Sequence, residues 1–163
     1  MATGIFYTTS TGNAGEIARA ISEKLDGCEV FELNTDTVTE MANLDKVIIG
    51  VSTWGDGELN DDFEDIWDEF CNVDLSSKTI ALFGLGDQEG YPDEFCSALG
   101  IVYEQVKNAN LIGVTSTDGY EFDSSKAVVD GKFVGLVIDE DNQDDLTEDR
   151  ISNWCEEIKS EIL

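Results

Sequence analysis

The sequence has no histidine, one proline, and only nine lysine and arginine residues against 36 aspartates and glutamates. Without imidazole, a His-based catalytic triad, a His-ligated metal and an imidazole proton shuttle are all excluded. The four cysteines, Cys28, Cys71, Cys96 and Cys155, are scattered. None forms a C-x-x-C pair, so their spacing gives no basis for a thiol redox motif, an iron–sulfur cluster or a zinc site. Scattered cysteines behind no leader-like segment lead us to expect reduced thiols in a cytoplasmic, reducing compartment. The longest apolar runs, such as 47–51, are far too short to cross a bilayer, so no membrane insertion is expected. A net charge of −27 makes nucleic acid a poor partner, because binding it relies on Lys and Arg displacing counterions. A basic protein met by electrostatic steering suits such a surface, and plain solvation of an acidic exterior is the other reading of the charge.

What is present is the composition of a folded chain: 163 residues, 41% of them hydrophobic, expected to form one domain over 1–163. Apolar, β-branched runs at 4–8, 28–33, 46–51, 79–83 and 110–115 read as strands, and 135–138 resumes a strand pattern. Between them lie segments with helical spacing. Ile17, Ile21 and Leu25 are four apart; Phe63, Ile66, Trp67 and Phe70 mark a second helix; Phe95, Leu99, Val102 and Val106 mark a third. A final helix, with Thr147 as its expected cap, carries Ile151, Trp154, Ile158 and Ile162. Residues 34–45 read as a loop or short helix. Strands alternating with helices predict a parallel sheet covered on both faces, with any ligand beyond the carboxyl ends of the strands.

Three loops follow strands and therefore gather at that edge. The first, 9–14, is rich in hydroxyls and enters a helix, so backbone N–H groups and the positive end of a helix dipole converge there. It offers either a phosphate cradle without a cation or an ordinary helix cap. It is not an NTPase loop, since Thr8 and Asn13 stand where the first Gly and the Lys would be, and G-x-G-x-x-G is missing too. The second loop, 52–59, carries Trp54; the third, 84–91, carries Asp87 and Tyr91. Hydroxyls for a phosphate and two aromatics for a flat ring describe a pocket for a planar ligand on a phosphorylated tail. No nucleophile–base pair accompanies them, which points to holding a cofactor rather than transforming a substrate.

The motifs T-S-T-G-N-A at 9–14, S-T-W-G-D-G-E-L at 52–59 and G-D-Q-E-G-Y at 86–91 resemble those of the flavodoxins, specifically the long-chain type of cyanobacteria and algae. S-T-D-G-Y-E-F at 116–122, G-K-F-V-G-L at 131–136 and D-E-D-N-Q at 139–143 extend the resemblance from end to end. The resemblance implies a flavodoxin-like three-layer sandwich. Its five-stranded parallel sheet would have the order 2-1-3-4-5, helices on both faces, and an insertion at 117–133 interrupting the last strand. It implies a low-potential one-electron carrier that binds FMN and has no substrate-transforming site of its own. Thr9, Ser10, Thr11, Gly12 and Asn13 would cradle the phosphate, and Trp54 and Tyr91 would sandwich the ring. Thr53, Gly55, Gly86 and Asp87 would bond its edge, with Asp141 near the ribityl chain. Ala14, Ser52, Asp56, Gly57, Leu85, Glu94, Phe95 and Cys96 complete the implied site. Two positions depart from the family pattern: Ala14 stands where a hydroxyl is usual, and Glu94 where long-chain relatives have Asn. The implied partners are basic redox proteins, such as ferredoxin–NADP reductase and photosystem I, meeting a monomer. Asp62, Glu64, Asp65, Asp68, Asp139 and Asp141 are expected to face them.

Rival readings fit the residues less well. A phosphoacceptor receiver domain needs acids after the first strand, where Tyr7, Thr8 and Thr9 stand. A calcium loop at 139–150 fails because Asp144 replaces the required Gly and Arg150 the final Glu. An FMN-dependent oxidoreductase acting on a small substrate is the alternative that the same fold would accommodate. For the carrier, Gly55 would let the Gly55–Asp56 peptide turn its carbonyl toward the reduced ring. One fixed negative charge at ~10 Å opposes a second electron by about 1.7 kcal/mol at an effective dielectric near 20. The potential of that second electron is therefore expected to be low and to rise with ionic strength. Potentiometry at low and high salt checks this, and a salt-independent value contradicts it.

Overall fold

The computed structural model describes residues 3–8, 13–54, 58–59 and 61–163, with the backbone alone at 54, 58, 61 and 62. Five parallel strand positions form its centre: β1 (Thr3–Tyr7), β2 (Glu29–Glu32), β3 (Lys46–Trp54), β5 (Thr79–Leu85) and a split edge made of β6 (Asn110–Ile112) and β10 (Leu136–Ile138). The edge strand is one register interrupted. β6 pairs residues 79–81 of β5, and β10 pairs residues 83–85. Counting the split edge as one, the order across the sheet is 2-1-3-4-5, as expected.

Both faces are covered. Along β1, β3 and β5 successive residues alternate between two apolar clusters. Phe6, Val47, Ile49, Val51, Ile80 and Leu82 face α3 (Trp67–Asn72) and α4 (Ser97–Val106). Ile5, Ile48, Ala81 and Phe83 face α1 (Asn13–Lys24) and α5 (Thr147–Ile162). Strands buried on both sides need apolar side chains at every step, which explains their unbroken β-branched composition.

Several element boundaries differ from the sequence expectation, each for a local reason. The loop expected at 52–59 is shorter, because β3 runs on to Trp54 and turns back into β4 (Glu58–Leu59), pairing Thr53 with Leu59. The second helix is two, α2 (Asp61–Asp65) and α3. They break at Ile66 (φ −111°, ψ 9°), where the Phe63, Trp67 and Phe70 rings pack with centroids 5.2–5.4 Å apart. The third helix starts at Ser97 rather than Phe95, because Cys96 is left-handed at φ 53°. Thr147 is the first residue of α5, not its cap. The 34–45 segment contains a 3-10 helix, Val38–Asn43.

The insertion leaves the sheet earlier than expected. Gly113 adopts φ 81°, its carbonyl accepts from Trp154 Nε1 at 2.8 Å, and the chain turns away before residue 115. The excursion holds a small antiparallel sheet of β7 (Thr115–Ser116), β9 (Lys132–Phe133) and β8 (Val128–Val129). It is pinned by Phe95, Tyr120, Phe122 and Phe133, whose centroids lie 5.0–6.0 Å apart, and by the Tyr120 hydroxyl donating to the Val137 carbonyl at 2.6 Å. Arg150 of α5 lies 4.0 Å over the Tyr120 ring. The Lys126 backbone sits so close to Gly100 of α4 that a Cβ there would come within 2.3 Å of its carbonyl carbon and oxygen. Gly100→Ala should thus push the insertion off α4 and cost about 1–3 kcal/mol, read by chemical denaturation of the apoprotein.

Candidate functional site

The carboxyl ends of β3, β5 and β10 and the first residue of α1 surround a cavity of about 240 Å3. It is lined by Asn13, Ser52, Thr53, Leu85, Gly86, Asp87, Tyr91, Glu94, Glu140 and Asp141. Nine of these ten were expected from sequence. Glu140, between the two acids of the D-E-D-N-Q motif, was missed although its neighbour Asp141 was named. Among the described residues no lysine or arginine lines the cavity.

Each lining segment is fixed by its own hydrogen bonds. The Thr53 hydroxyl accepts from the Ala98 N–H at 3.1 Å, tying the end of β3 to the first turn of α4. Asp87 closes a tight turn: its Oδ1 accepts from the backbone N–H groups of Glu89 (3.1 Å) and Gly90 (2.8 Å), and Tyr91 N–H donates to the Asp87 carbonyl at 2.9 Å. A Cβ at Gly90 would come within 2.5 Å of the Asp87 carboxylate, which would have to shift to admit one. That turn presents Tyr91 outward, 47% exposed.

Charge on the cavity wall is divided. The Gly90 N–H, with help from Asn142 and Glu89, holds the Asp87 carboxyl below its usual range. Partial burial pushes Glu140 and Asp141 upward, and for Asp141 the carboxylates of Asp87 and Asp139 add to this. Asp139 itself, expected to face a partner, is fully buried, so that expectation is corrected. Its position just after β10 turns it inward, where five N–H groups meet its carboxylate. Glu64, Asp65, Asp68 and Asp141 are exposed, and the Asp62 side chain lies outside the described residues.

Three other expected site residues lie behind the wall. Ala14, Phe95 and Cys96 are fully buried. Burial raises the Cys96 thiol well above its ordinary value, and the Cys96 sulfur sits where a Cβ on Gly86 would come within 2.7 Å. They back the cavity rather than line it. Thr9, Ser10, Thr11, Gly12, Gly55, Asp56 and Gly57 lie outside the described residues, and Trp54 is described as the last backbone position of β3.

The flavodoxin family profile matches residues 5–154. Flavodoxin of Helicobacter pylori is 46% identical over 156 residues, covering 96% of this chain and 95% of that protein. Flavodoxin of a Nostoc strain is 43% identical over 163 residues, with 98% and 96% covered. This chain belongs to the flavodoxin family. Among solved structures, a mutant Fusobacterium nucleatum flavodoxin bound to flavin mononucleotide superimposes with a TM-score of 0.92 at 33% identity, covering 99% of this chain and 97% of that one. Flavodoxins are FMN-binding electron carriers rather than enzymes.

In this flavodoxin the ionised Asp87 favours the folded state, since its folded pKa lies below the unfolded value. That contribution is complete above about pH 4 and is lost as pH falls through the lowered folded value. Asp87→Asn should therefore flatten the acid side of the stability profile, measured by thermal unfolding of the apoprotein across that range. Glu140 and Asp141 act in the opposite sense, and for Asp141 the substitution also removes one of the carboxylates that push it upward.

Proposed function

We propose that this flavodoxin binds FMN in the cavity at the carboxyl edge of the sheet and passes single electrons between basic redox proteins. Ferredoxin–NADP reductase and photosystem I are partners of the right chemistry. The chain acts as one unit over 1–163, as a monomer, in the cytoplasm. The reading is carried by one convergence: Asn13, Ser52, Thr53, Leu85, Gly86, Asp87 and an exposed Tyr91 all border the same cavity.

The residues present fit the cofactor. Thr8, 1% exposed at the end of β1, has a buried hydroxyl with no hydrogen-bond partner among the described residues, and a phosphate-bearing ligand would bring polar atoms to that end. An uncharged ring suits a wall of carboxylates, backbone and aromatic surface better than a further anion would. Thr9, Ser10, Thr11, Gly12 and Asn13 would hold the phosphate, with Ala14 packed beneath. Trp54 and Tyr91 would flank the ring, while Thr53, Gly55, Gly86 and Asp87 bond its edge and Asp141 lies toward the ribityl chain. Ser52, Asp56, Gly57, Leu85 and Glu94 would border it, and Phe95 and Cys96 would support the wall. FMN when bound supplies the one-electron redox chemistry. The chain's own part is to hold it, exclude water from its inner edge and surround it with fixed negative charge. That charge opposes accumulation of electrons and attracts a basic partner.

Addition of FMN to the apoprotein should give a one-to-one yellow complex, and Tyr91→Ala should weaken it by about threefold to tenfold. The loaded protein should reduce cytochrome c with NADPH only when a ferredoxin–NADP reductase is present. Apoprotein that takes up no FMN contradicts the assignment, and NADPH oxidation without the reductase contradicts the carrier role.

A further inference from the structure

One oxygen from each of Asp87, Asp139 and Asp141 lies within 4.8 Å of the others, at the wall of the cavity. Three carboxylates so close repel unless something with positive character stands between them. No basic side chain does so among the described residues. The place is taken by Asn142. Its Nδ2 donates to Asp87 Oδ1 at 2.8 Å and to Asp139 Oδ2 at 2.9 Å, and its backbone N–H donates to Asp139 Oδ1 at 3.1 Å. The rest of the Asp139 carboxylate is occupied by Gln88 N–H (3.0 Å), Gln88 Nε2 (2.8 Å) and Asp141 N–H (3.1 Å). With five donors on two oxygens, Asp139 has no lone pair left for a metal ion. The cluster is held by amide protons.

We propose that Asn142 is the positioning residue of the cofactor-facing turn: the two N–H bonds of its carboxamide tether Asp87, and with it the 87–91 turn and Tyr91, to the buried Asp139. Asn142 does not line the cavity, so it acts only through Asp87. The inference rests on the assignment of the cavity to FMN. It also gives the inserted segment a route to the same turn. Gln88, fixed on Asp139 by two donors, accepts the Glu121 N–H on its Oε1 at 2.6 Å.

Donor chemistry and shape make opposite predictions for two variants. Asn142→Asp keeps the shape but removes the donors and adds a fourth charge; Asn142→Leu removes the donors without adding charge. FMN dissociation constants, measured by flavin fluorescence quenching, should rank wild type tightest, Asn142→Leu about tenfold weaker and Asn142→Asp weaker still. A space-filling role predicts that the isosteric Asp variant is the better of the two. Asn142→Asp within about twofold of wild type, or tighter than Asn142→Leu, overturns the proposal. Should the Asp variant not fold by far-UV circular dichroism, Asn142→Gln against Asn142→Met repeats the contrast, with Gln expected tighter and equality overturning the proposal. Tyr91→Ala is measured alongside. If it weakens FMN while the position-142 variants do not, the role of Asn142 fails alone; if neither matters, the assignment of the cavity is what fails.

Discussion

The buried carboxylate of Asp139 holds the working end of this molecule together. A fully enclosed charge is tolerated only when its hydrogen-bonding capacity is met, and here five N–H groups from three residues meet it. Those donors come from the turn after β5 and from the turn after β10, two segments about 50 residues apart in sequence. Backbone pairing between β5 and β10 brings the two strand ends together; the Asp139 network then decides how the chain leaves them. Because charge-assisted bonds in a dry setting are strong and directional, the exit angles of both turns are set by one side chain.

The distribution of the scarce cations follows a related logic. Lys24 reaches Glu148, Lys159 reaches Asp26, and Lys107, just past the end of α4, pairs with Glu104 of that helix. Lys46 donates to the Leu163 carbonyl, and Lys78 donates to the carbonyls of Ala42 and Leu44, closing the 3-10 helix. Arg150 lies over Tyr120. Most positive charge is thus engaged within the fold, on helix ends and strand starts away from the cavity. Among the described residues the acids of the carboxyl edge are met by N–H groups rather than by cations, so the field there is negative.

Much of this was legible in the sequence, for physical reasons that differ by region. Strands covered on both faces, such as Val47 to Val51, must be apolar throughout, so they announce themselves. Loops that serve a ligand depart from ordinary turn composition, which is why Asp87 and Tyr91 stood out before their geometry was known, whereas Ser52 and Thr53 came from the resemblance of S-T-W-G-D-G-E-L to the flavodoxin motifs. What escaped was decided by tertiary contact. The left-handed Cys96 delays α4 because the chain must first pass beneath Gly86, and nothing in Phe95-Cys96-Ser97 signals it. The break at Ile66 follows from packing of three aromatic rings rather than from a breaker residue. Asp139 reads as one more surface acid in D-E-D-N-Q. Its burial depends on Gln88, and sequence spacing cannot show that pairing. Glu140 was missed for the same reason: a run of acids gives no hint of which member turns toward a cavity.

The split edge of the sheet has a consequence of its own. An uninterrupted outer strand would offer a neighbouring molecule a ladder of free donors and acceptors. Here that rim is two three-residue steps, β6 and β10, separated by a folded excursion that stands in the way of a third. The opposite rim, β2, is four residues long with an acid at each end. Neither border can template a long strand from another copy, so the architecture that makes room for the insertion also guards a crowded solution of this protein against cross-β association.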